Sequence, residues 1–587
     1  MFRAKSKDVK QSLGTVARLL RSRRLVLSEV EGTLARNDAT EIHCYNPLML
    51  LSRLVSALPE ILSRTDGDPD IISIEENSRN VKSGSLFVAR RGTNVDGHKF
   101  ISDAISRGAS AVVVEKEIKE IVGNEGNAFP LFPSFPLSPS SPSFPLVPFI
   151  RVPDSSEALA WLCAAFYDFP ARKMIMIGVT GTDGKTTTST LIHSILVAAG
   201  FKAGLINTVN AIIGDDVLDT GLHTTTPDAP DVQRYLKQMV DAGMTHCVLE
   251  TTSHGIAQHR VTACEFDIAV VTNITHEHLD FHGSIDNYRA AKAKLFEGLS
   301  TATKKNVTKL AVLNRDDWSF DYLRERIKVN SISYGLNDNV ADVRATEIVY
   351  RPDSTQFTVV SNFQLPTSNF QAHLVGDFNI SNCLAAITAT VKGLGVSVEA
   401  AARGIGSVKG VAGRLERIDL GQDFISIVDF AHTPNALKRV LQVARTLTKG
   451  RVVVVFGSAG LRDVAKRKWM GEIAAEFADL TIITAEDPRT ESLEAIMAES
   501  AEGATSKGGV EGKTFWRIAD RGEAIRFAID HAHAGDVLLV CGKAHEQSMC
   551  FGTTEYPWDD RVAVRAALAK RLGLSGYDMP KLPTSEG

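Results

Sequence analysis

The segment Gly178-Val-Thr-Gly-Thr-Asp-Gly-Lys-Thr-Thr-Thr188 constrains this chain more than any other. It follows the apolar run Met174–Ile177 and leads into Leu191, Ile192, Ile195 and Leu196, which recur at helical spacing. A strand, a glycine-rich turn and a helix N-terminus, in that order, form a phosphate cradle, because backbone N–H groups and the helix dipole both face the anion. The cradle residues are Gly181, Thr182, Asp183, Gly184, Lys185, Thr186 and Thr187. Lys185 is placed to reach the outer phosphates, and the Thr186 hydroxyl can ligate Mg²⁺. The loop is a variant: the strict pattern has glycine five positions before Gly184, where this chain has Val179.

The chain is long enough, at 587 residues, for two to four domains. From Lys173 onward strands and helices alternate, as a parallel sheet with crossover helices requires. Ile175–Val179, Cys247–Glu250, Ile268–Thr272 and Leu310–Leu313 are the strand candidates. After Gly410 the alternation restarts, with strands at Ile425–Asp429, Val452–Phe456, Leu480–Thr484 and Val537–Val540 and helices at Asn435–Thr446, Met470–Phe477 and Glu523–Ala532. The segment before Lys173 reads as a smaller α/β unit, with strands Ser85–Ala89 and Ala111–Val114 and helices Phe100–Arg107 and Glu157–Phe166. The expected divisions are 49–170, 171–411 and 412–587. A net charge of −4 gives no support to nucleic-acid binding. The seven cysteines are scattered without CxxC spacing, which suits a reduced, cytoplasmic protein. No apolar run approaches the ~18 residues that span a membrane.

Two segments stand apart. Residues 1–48 differ in character from the rest, with eight Lys or Arg within Met1–Leu25, and are expected to be a disordered or non-native extension. Within 123–149, proline recurs at every third position from Pro130 to Pro148, a polyproline II spacing that neither a helix nor a sheet interior tolerates. It reads as a surface insertion, with a docking stretch for a proline-binding partner as the alternative.

Glu250 closes a strand in the same sheet as the phosphate loop, where a carboxylate can meet Mg²⁺ beside the nucleotide. His278 follows another strand of that sheet in the same way.

Seven segments occur in a fixed order: Gly181–Thr188, His223-Thr-Thr-Thr-Pro-Asp228, Glu250-Thr-Thr-Ser-His-Gly255, Asn273-Ile-Thr-His-Glu-His-Leu-Asp280, Tyr288-Arg-Ala-Ala-Lys292, Asp429-Phe-Ala-His-Thr-Pro434 and Gly542-Lys-Ala-His-Glu546. Together they resemble the Mur ligases of peptidoglycan synthesis, most closely the MurE type, which adds a diamino acid to UDP-N-acetylmuramoyl-L-alanyl-D-glutamate (UDP-MurNAc-L-Ala-D-Glu). The resemblance implies an α/β fold of three domains: a small N-terminal uridine-binding domain, a central P-loop-type parallel-sheet ATPase domain and a C-terminal Rossmann-like domain. It also implies ATP and Mg²⁺, a cytoplasmic monomer, and a reaction in which the substrate carboxylate takes the ATP γ-phosphate and the incoming amine then displaces it.

The family's residues carry over position by position. Lys185, Glu250, His278 and Lys292 become the catalytic set, with Thr186, Glu250, His278 and a carbamylated Lys292 around the metal. Asn314, Arg414, Asp429 and His432 match the adenosine side. Ser78 and Arg79 match the uridine site, and Thr225, Thr226, Thr252, Ser253, Gln258 and Arg260 match positions that hold the muramoyl-dipeptide. Arg462, Glu486, Asp487, Arg489, Gly542 and Glu546 match the pocket for the added amino acid. The chain departs from the pattern at His276 and Glu277, at Glu486-Asp487 and at Ala544. Retained Arg489 favours meso-diaminopimelate, while the extra carboxylate leaves lysine or ornithine open. A folylpolyglutamate-type ligase and a non-catalytic nucleotide-binding module are the wider alternatives.

Overall fold

In the computed structural model, which describes residues 48–92, 95–117, 147–218, 225–351, 354–362 and 367–585, three large sheets succeed one another along the chain. The first has five strands in the order Ser63–Arg64, Phe149–Arg151, Ala109–Val114, Ser85–Val88 and Ser73–Glu75. Helix Ser155–Phe166, whose first N–H groups are capped by the Asp154 carboxylate, packs Leu159 and Leu162 against Leu86, Val88 and Val113. The domain opens on a short helix, Leu51–Val55, rather than directly on a leucine stripe from Leu50. Met49–Leu50 is instead a short strand paired with Asp70–Ile71, which turns Leu50 to solvent and Leu51 and Leu54 inward.

Ala109–Val114 and Phe149–Arg151 are parallel neighbours, so the chain between them crosses from one end of the sheet to the other. The proline repeat from 130 to 145 lies outside the described residues, as do residues 1–47. Pro148 does not: its carbonyl accepts the Val112 N–H at 2.9 Å, and Phe149 is a buried strand residue. The insertion read as 123–149 therefore ends before Val147, which already packs on the core. Replacing 123–144 with a flexible linker long enough for the crossover, or removing 1–47, should leave soluble yield and turnover within a few-fold of the full chain. Loss of soluble protein in either variant would show that the removed segment is structural.

The central sheet has eleven strands. Its parallel part runs Ala203–Ile206, His246–Glu250, Ile175–Thr180, Ile268–Val271, Leu310–Asn314, Asn330–Gly335 and Val343–Tyr350. Antiparallel hairpins extend both edges, through Ala211–Ile213 with Asp216–Leu218 and through Thr355–Ser361 with Ser368–Ala372. The sheet is thus mixed where a parallel one was expected. The parallel strands bury both faces, and their residues alternate between two cores. Ile177, Val179, Val248, Val270 and Val312 face helices Lys185–Ala198, Asp377–Ile387 and Val398–Ser407. Met176, Cys247, Leu249, Val271 and Leu313 face helices Ala229–Asp241 and Ile285–Glu297.

The third sheet has six strands, with Ile425–Asp429, Val537–Cys541, Val452–Phe456, Leu480–Ile483 and Phe515–Arg517 parallel and Glu416–Ile418 antiparallel at one edge. Val453, Val455, Leu538 and Val540 point into one core, and Val452, Val454, Phe456 and Leu539 into the other. Both large sheets are doubly wound, so ligand clefts are expected beyond the carboxyl ends of their strands.

Candidate active site

The phosphate loop is fixed from both sides. Thr182 N–H donates to the Asn273 carbonyl at 2.7 Å, and Asp183 N–H donates to Asn273 Oδ1 at 3.0 Å. The Asp183 carbonyl accepts from the Thr272 hydroxyl and the Asn273 amide. Two glycines are required by space. A Cβ at Gly181 would stand 1.8 Å from Thr272 Oγ1, and one at Gly184 would stand 2.4 Å from Asn382 Oδ1; both have positive φ. Gly184 is also the N-cap of helix Lys185–Ala198, and no side chain caps that helix. Its first N–H groups and its dipole therefore face the cleft.

Beside the loop, Thr186 Oγ1 donates to Glu250 Oε1 at 3.2 Å, while Glu250 Oε2 accepts the Thr208 N–H at 3.1 Å. Glu250 is 1% exposed and ends its strand at the cleft, as the sequence predicted. His278 begins helix Leu279–His282 with left-handed backbone and lines the same cleft. Lys292, on helix Ile285–Glu297, is also 1% exposed. Its Nζ donates to the Gly181 carbonyl at 2.7 Å and lies 4.6 Å from the centre of the Tyr288 ring. Burial, reinforced by Lys185, holds the Lys292 pKa well below the ordinary lysine value. Lys185 Nζ is folded back on the Thr182 carbonyl at 2.8 Å.

The third domain closes on this loop. Arg414 Nη2 donates to Thr186 Oγ1 at 3.2 Å, and its guanidinium stacks on Phe430 at 4.4 Å. Asn435 Nδ2 reaches Asp183 Oδ2 at 3.3 Å. Asp429 is held by the N–H groups of Leu415 and Ala431. His432 is half-buried, and desolvation pushes its pKa down to about 3, so its imidazole is neutral. Asn314 donates to the Thr272 carbonyl. Asp183, Thr186, Asn314, Arg414, Asp429 and His432 line one cleft of about 940 Å³ between the two domains. The His276-Glu277 departure acquires a reason here. His276 Nε2 stands 3.8 Å from Asp463 Oδ2 with its ring edge-on to Trp469, and the buried Glu277 faces Lys466; both residues meet the third domain.

The substrate-side residues fall into two groups. Thr225 and Thr252 line the cleft. Thr226 Oγ1 donates to the Glu250 carbonyl, Ser253 is buried at the start of helix Ser253–Ala257, and Arg260 donates to the Thr226 carbonyl and to Gln258 Oε1. Arg260 Nε also lies 3.1 Å from Asp228 Oδ1. Ser78 and Arg79 are in the first domain, on the turn Ser78–Asn80, and do not line that cleft.

Most of the expected amino-acid residues gather within the third domain. Asp487 is buried, and its carboxylate accepts from Lys543 Nζ at 3.0 and 3.1 Å and from the Cys550 N–H at 2.9 Å. The same ammonium lies 2.5 Å from Glu546 Oε2. Gly542 abuts Glu486, since a Cβ there would stand 2.2 Å from Glu486 Oε2. Burial raises the Glu486 pKa to about 7, against the opposing pull of Lys466 and Arg521. Arg489 Nη1 donates to the Gly460 carbonyl at 2.9 Å, close in sequence to the exposed Arg462. Lys543, Thr208, Asn273 and Asn435 were not singled out in the sequence, although Lys543 and Asn273 sit inside two of its motifs.

A glycine cradle at a helix N-terminus, a strand-end carboxylate beside it and a second α/β domain donating an arginine into the same cleft define an ATP-dependent ligase. The chain matches the Mur ligase middle domain over 179–390, the Mur ligase glutamate ligase domain over 413–544 and the Mur ligase family catalytic domain over 70–167. It is 41% identical over 536 residues to the UDP-N-acetylmuramyl-tripeptide synthetase of Roseiflexus sp. strain RS-1, covering 90% of this chain and 100% of that protein. It is 39% identical over 523 residues to the UDP-N-acetylmuramoyl-L-alanyl-D-glutamate–2,6-diaminopimelate ligase of Geobacillus kaustophilus, covering 89% and 100%. A solved structure of a 2,6-diaminopimelate ligase of that name superposes with a TM-score of 0.57 at 29% identity, over 86% of this chain and 96% of the other. The chain belongs to the Mur ligase family.

Proposed function

We propose that this ligase joins meso-diaminopimelate to UDP-MurNAc-L-Ala-D-Glu, forming ADP and phosphate, in peptidoglycan synthesis. The observation that carries the reading is the convergence, in one cleft, of the phosphate cradle, Glu250 and the third-domain arginine Arg414, with the buried Lys292 bonded to the Gly181 carbonyl of the cradle. The names of its relatives point the same way.

The chemistry asks a carboxylate to approach a polyphosphate, so like charges must be offset. Lys185 and the N-terminal amides of helix Lys185–Ala198 meet the phosphates, and Arg414 adds positive charge from the opposite wall. The residues fit a magnesium ion: Thr186 and Glu250 present neighbouring oxygens, His278 stands on the same cleft, and the Lys292 amine, once carbamylated, adds an anion at a site that holds none of its own at that position. When bound, magnesium supplies charge neutralisation at the transferring phosphoryl group. Asp429, His432 and Asn314 orient the nucleoside, and Thr225, Thr252 and Arg260 hold the muramoyl-dipeptide, with Ser78 and Arg79 at its uridine end. Domain closure through Asn435, His276 and Glu277 excludes water from the acyl phosphate before the amine attacks. The cleft is completed by residues of one chain, so a monomer suffices. No described helix is long and apolar enough to cross a membrane, and a cytoplasmic location goes with nucleotide-linked substrates.

Phosphate release from ATP should require both UDP-MurNAc-L-Ala-D-Glu and a diamino acid, with meso-diaminopimelate giving the highest kcat/KM. Release with folate and glutamate in their place, or none under any pairing, would overturn the assignment.

A further inference from the structure

We infer that Lys543 is a specificity-determining residue: its buried ammonium is an internal counter-ion that sets the charge of the amino-acid pocket so that the pocket accepts a zwitterionic end and rejects a bare ammonium. The inference rests on the amino-acid pocket proposed above. Lys543 has no exposed surface, and its Nζ is shared between Asp487, at 3.0 and 3.1 Å, and Glu546, at 2.5 Å. Burial alone would neutralise this amine, but Glu546 and Asp487 more than offset that, so its pKa is raised and the charge is kept. Asp487 accepts a second donor, the Cys550 N–H, so its oxygens are committed within the protein. Glu546 remains the member of the trio that lines the cleft.

The consequence follows from the tally of charges. Without Lys543, Asp487 and Glu546 would be two adjacent carboxylates, an attractive seat for the side-chain ammonium of lysine or ornithine. With it, the two carboxylates and two cations, Lys543 and Arg489, balance. A ligand end carrying both a carboxylate and an ammonium adds no net charge and offers Arg489 an acceptor. A bare ammonium adds a cation beside Arg489 and leaves that guanidinium without its anion. Glu486 is present in every variant compared below; Lys543 lowers its pKa and Asp487 raises it, so each single variant shifts it one way and the double variant removes both influences together.

The test is the ratio of kcat/KM for meso-diaminopimelate to that for L-lysine, with thermal unfolding of each protein measured alongside. Lys543→Met should move the ratio at least tenfold toward lysine. Lys543→Met combined with Asp487→Asn restores the balance and should return the ratio to within about threefold of the wild type. Asp487→Asn alone, which leaves a surplus cation, should move it the opposite way, and it decides the matter if Lys543→Met does not fold. If the rates with both amino acids fall together and the ratio stays within twofold, the lysine is only a structural tie and the inference is overturned. A wild type that prefers lysine would refute the diaminopimelate reading, whereas the direction of each variant's shift would still judge Lys543.

Discussion

Lys292→Ala should nearly abolish ligation, with kcat reduced about 100-fold or more, the scale for removing one preorganised electrostatic group from a transition state. The side chain is buried against the Gly181 carbonyl, within the phosphate loop itself. A cation in that place would repel magnesium, whereas a carbamate would help to hold it. The alanine variant should therefore lose activity through kcat and through its magnesium requirement, with less effect on the KM for the muramoyl-dipeptide. High bicarbonate with a short carboxylic acid should return part of the rate, because a small anion can enter the vacated space. Lys294→Ala is the control: Lys294 lies on the same helix, two residues on, and is exposed. It should keep most of the wild-type rate. Wild-type turnover in Lys292→Ala, or equal losses in both variants, would remove Lys292 from the metal site.

The contrast between those two lysines shows what was legible in the sequence. Four inner strands of the central sheet and four of the third were readable, because continuous apolar runs such as Val452–Phe456 and Val537–Cys541 are what a sheet buried on both faces demands, whereas the shorter or more polar Ala203–Ile206, Asn330–Gly335, Glu416–Ile418 and Phe515–Arg517 were not named. The antiparallel arm was not. Strand Val343–Tyr350 carries a register shift between Thr346 and Val349, which breaks the alternation that would have announced it. At the site, strand-end residues such as Glu250 and the loop Gly181–Thr187 could be placed from local pattern, since the fold sends every strand end to one cleft. Lys292 could not: by pattern alone a helical lysine is a solvated one, and only the family resemblance singled it out. Lys543 escaped for a related reason. Its partner Asp487 is 56 residues away, and nothing in Gly542-Lys-Ala-His-Glu546 indicates that the ammonium is turned inward. The Glu486-Asp487 departure looked from sequence like one more negative end to the pocket. In the fold Asp487 is already neutralised from within, so that argument for lysine or ornithine weakens.

With Asp487 committed to Lys543, Arg489 becomes the group that should decide the added amino acid. Arg489→Ala should lower kcat/KM for meso-diaminopimelate at least tenfold and leave the low rate with L-lysine nearly unchanged. The backbone supports such a role. Asp487 and Arg489 both have positive φ, a conformation that costs a side-chain-bearing residue about 1 kcal/mol or more and persists only where the surroundings impose it. Here they do: the Arg489 N–H donates to the Cys550 carbonyl, the Gly552 N–H donates to the Arg489 carbonyl, and Nη1 holds the Gly460 carbonyl. The guanidinium is therefore presented on a fixed loop and keeps further donors for a ligand carboxylate. Two charge-assisted bonds of about 1.5–3 kcal/mol each more than cover a tenfold loss, which takes about 1.4 kcal/mol. Arg489→Lys, which retains the charge but not the forked geometry, should fall between wild type and alanine. Comparing the three proteins with meso-diaminopimelate, L-lysine and L-ornithine separates charge from geometry. If Arg489→Ala uses meso-diaminopimelate as well as the wild type does, the distal carboxylate is held elsewhere, and the pocket has been misplaced within an otherwise intact ligase.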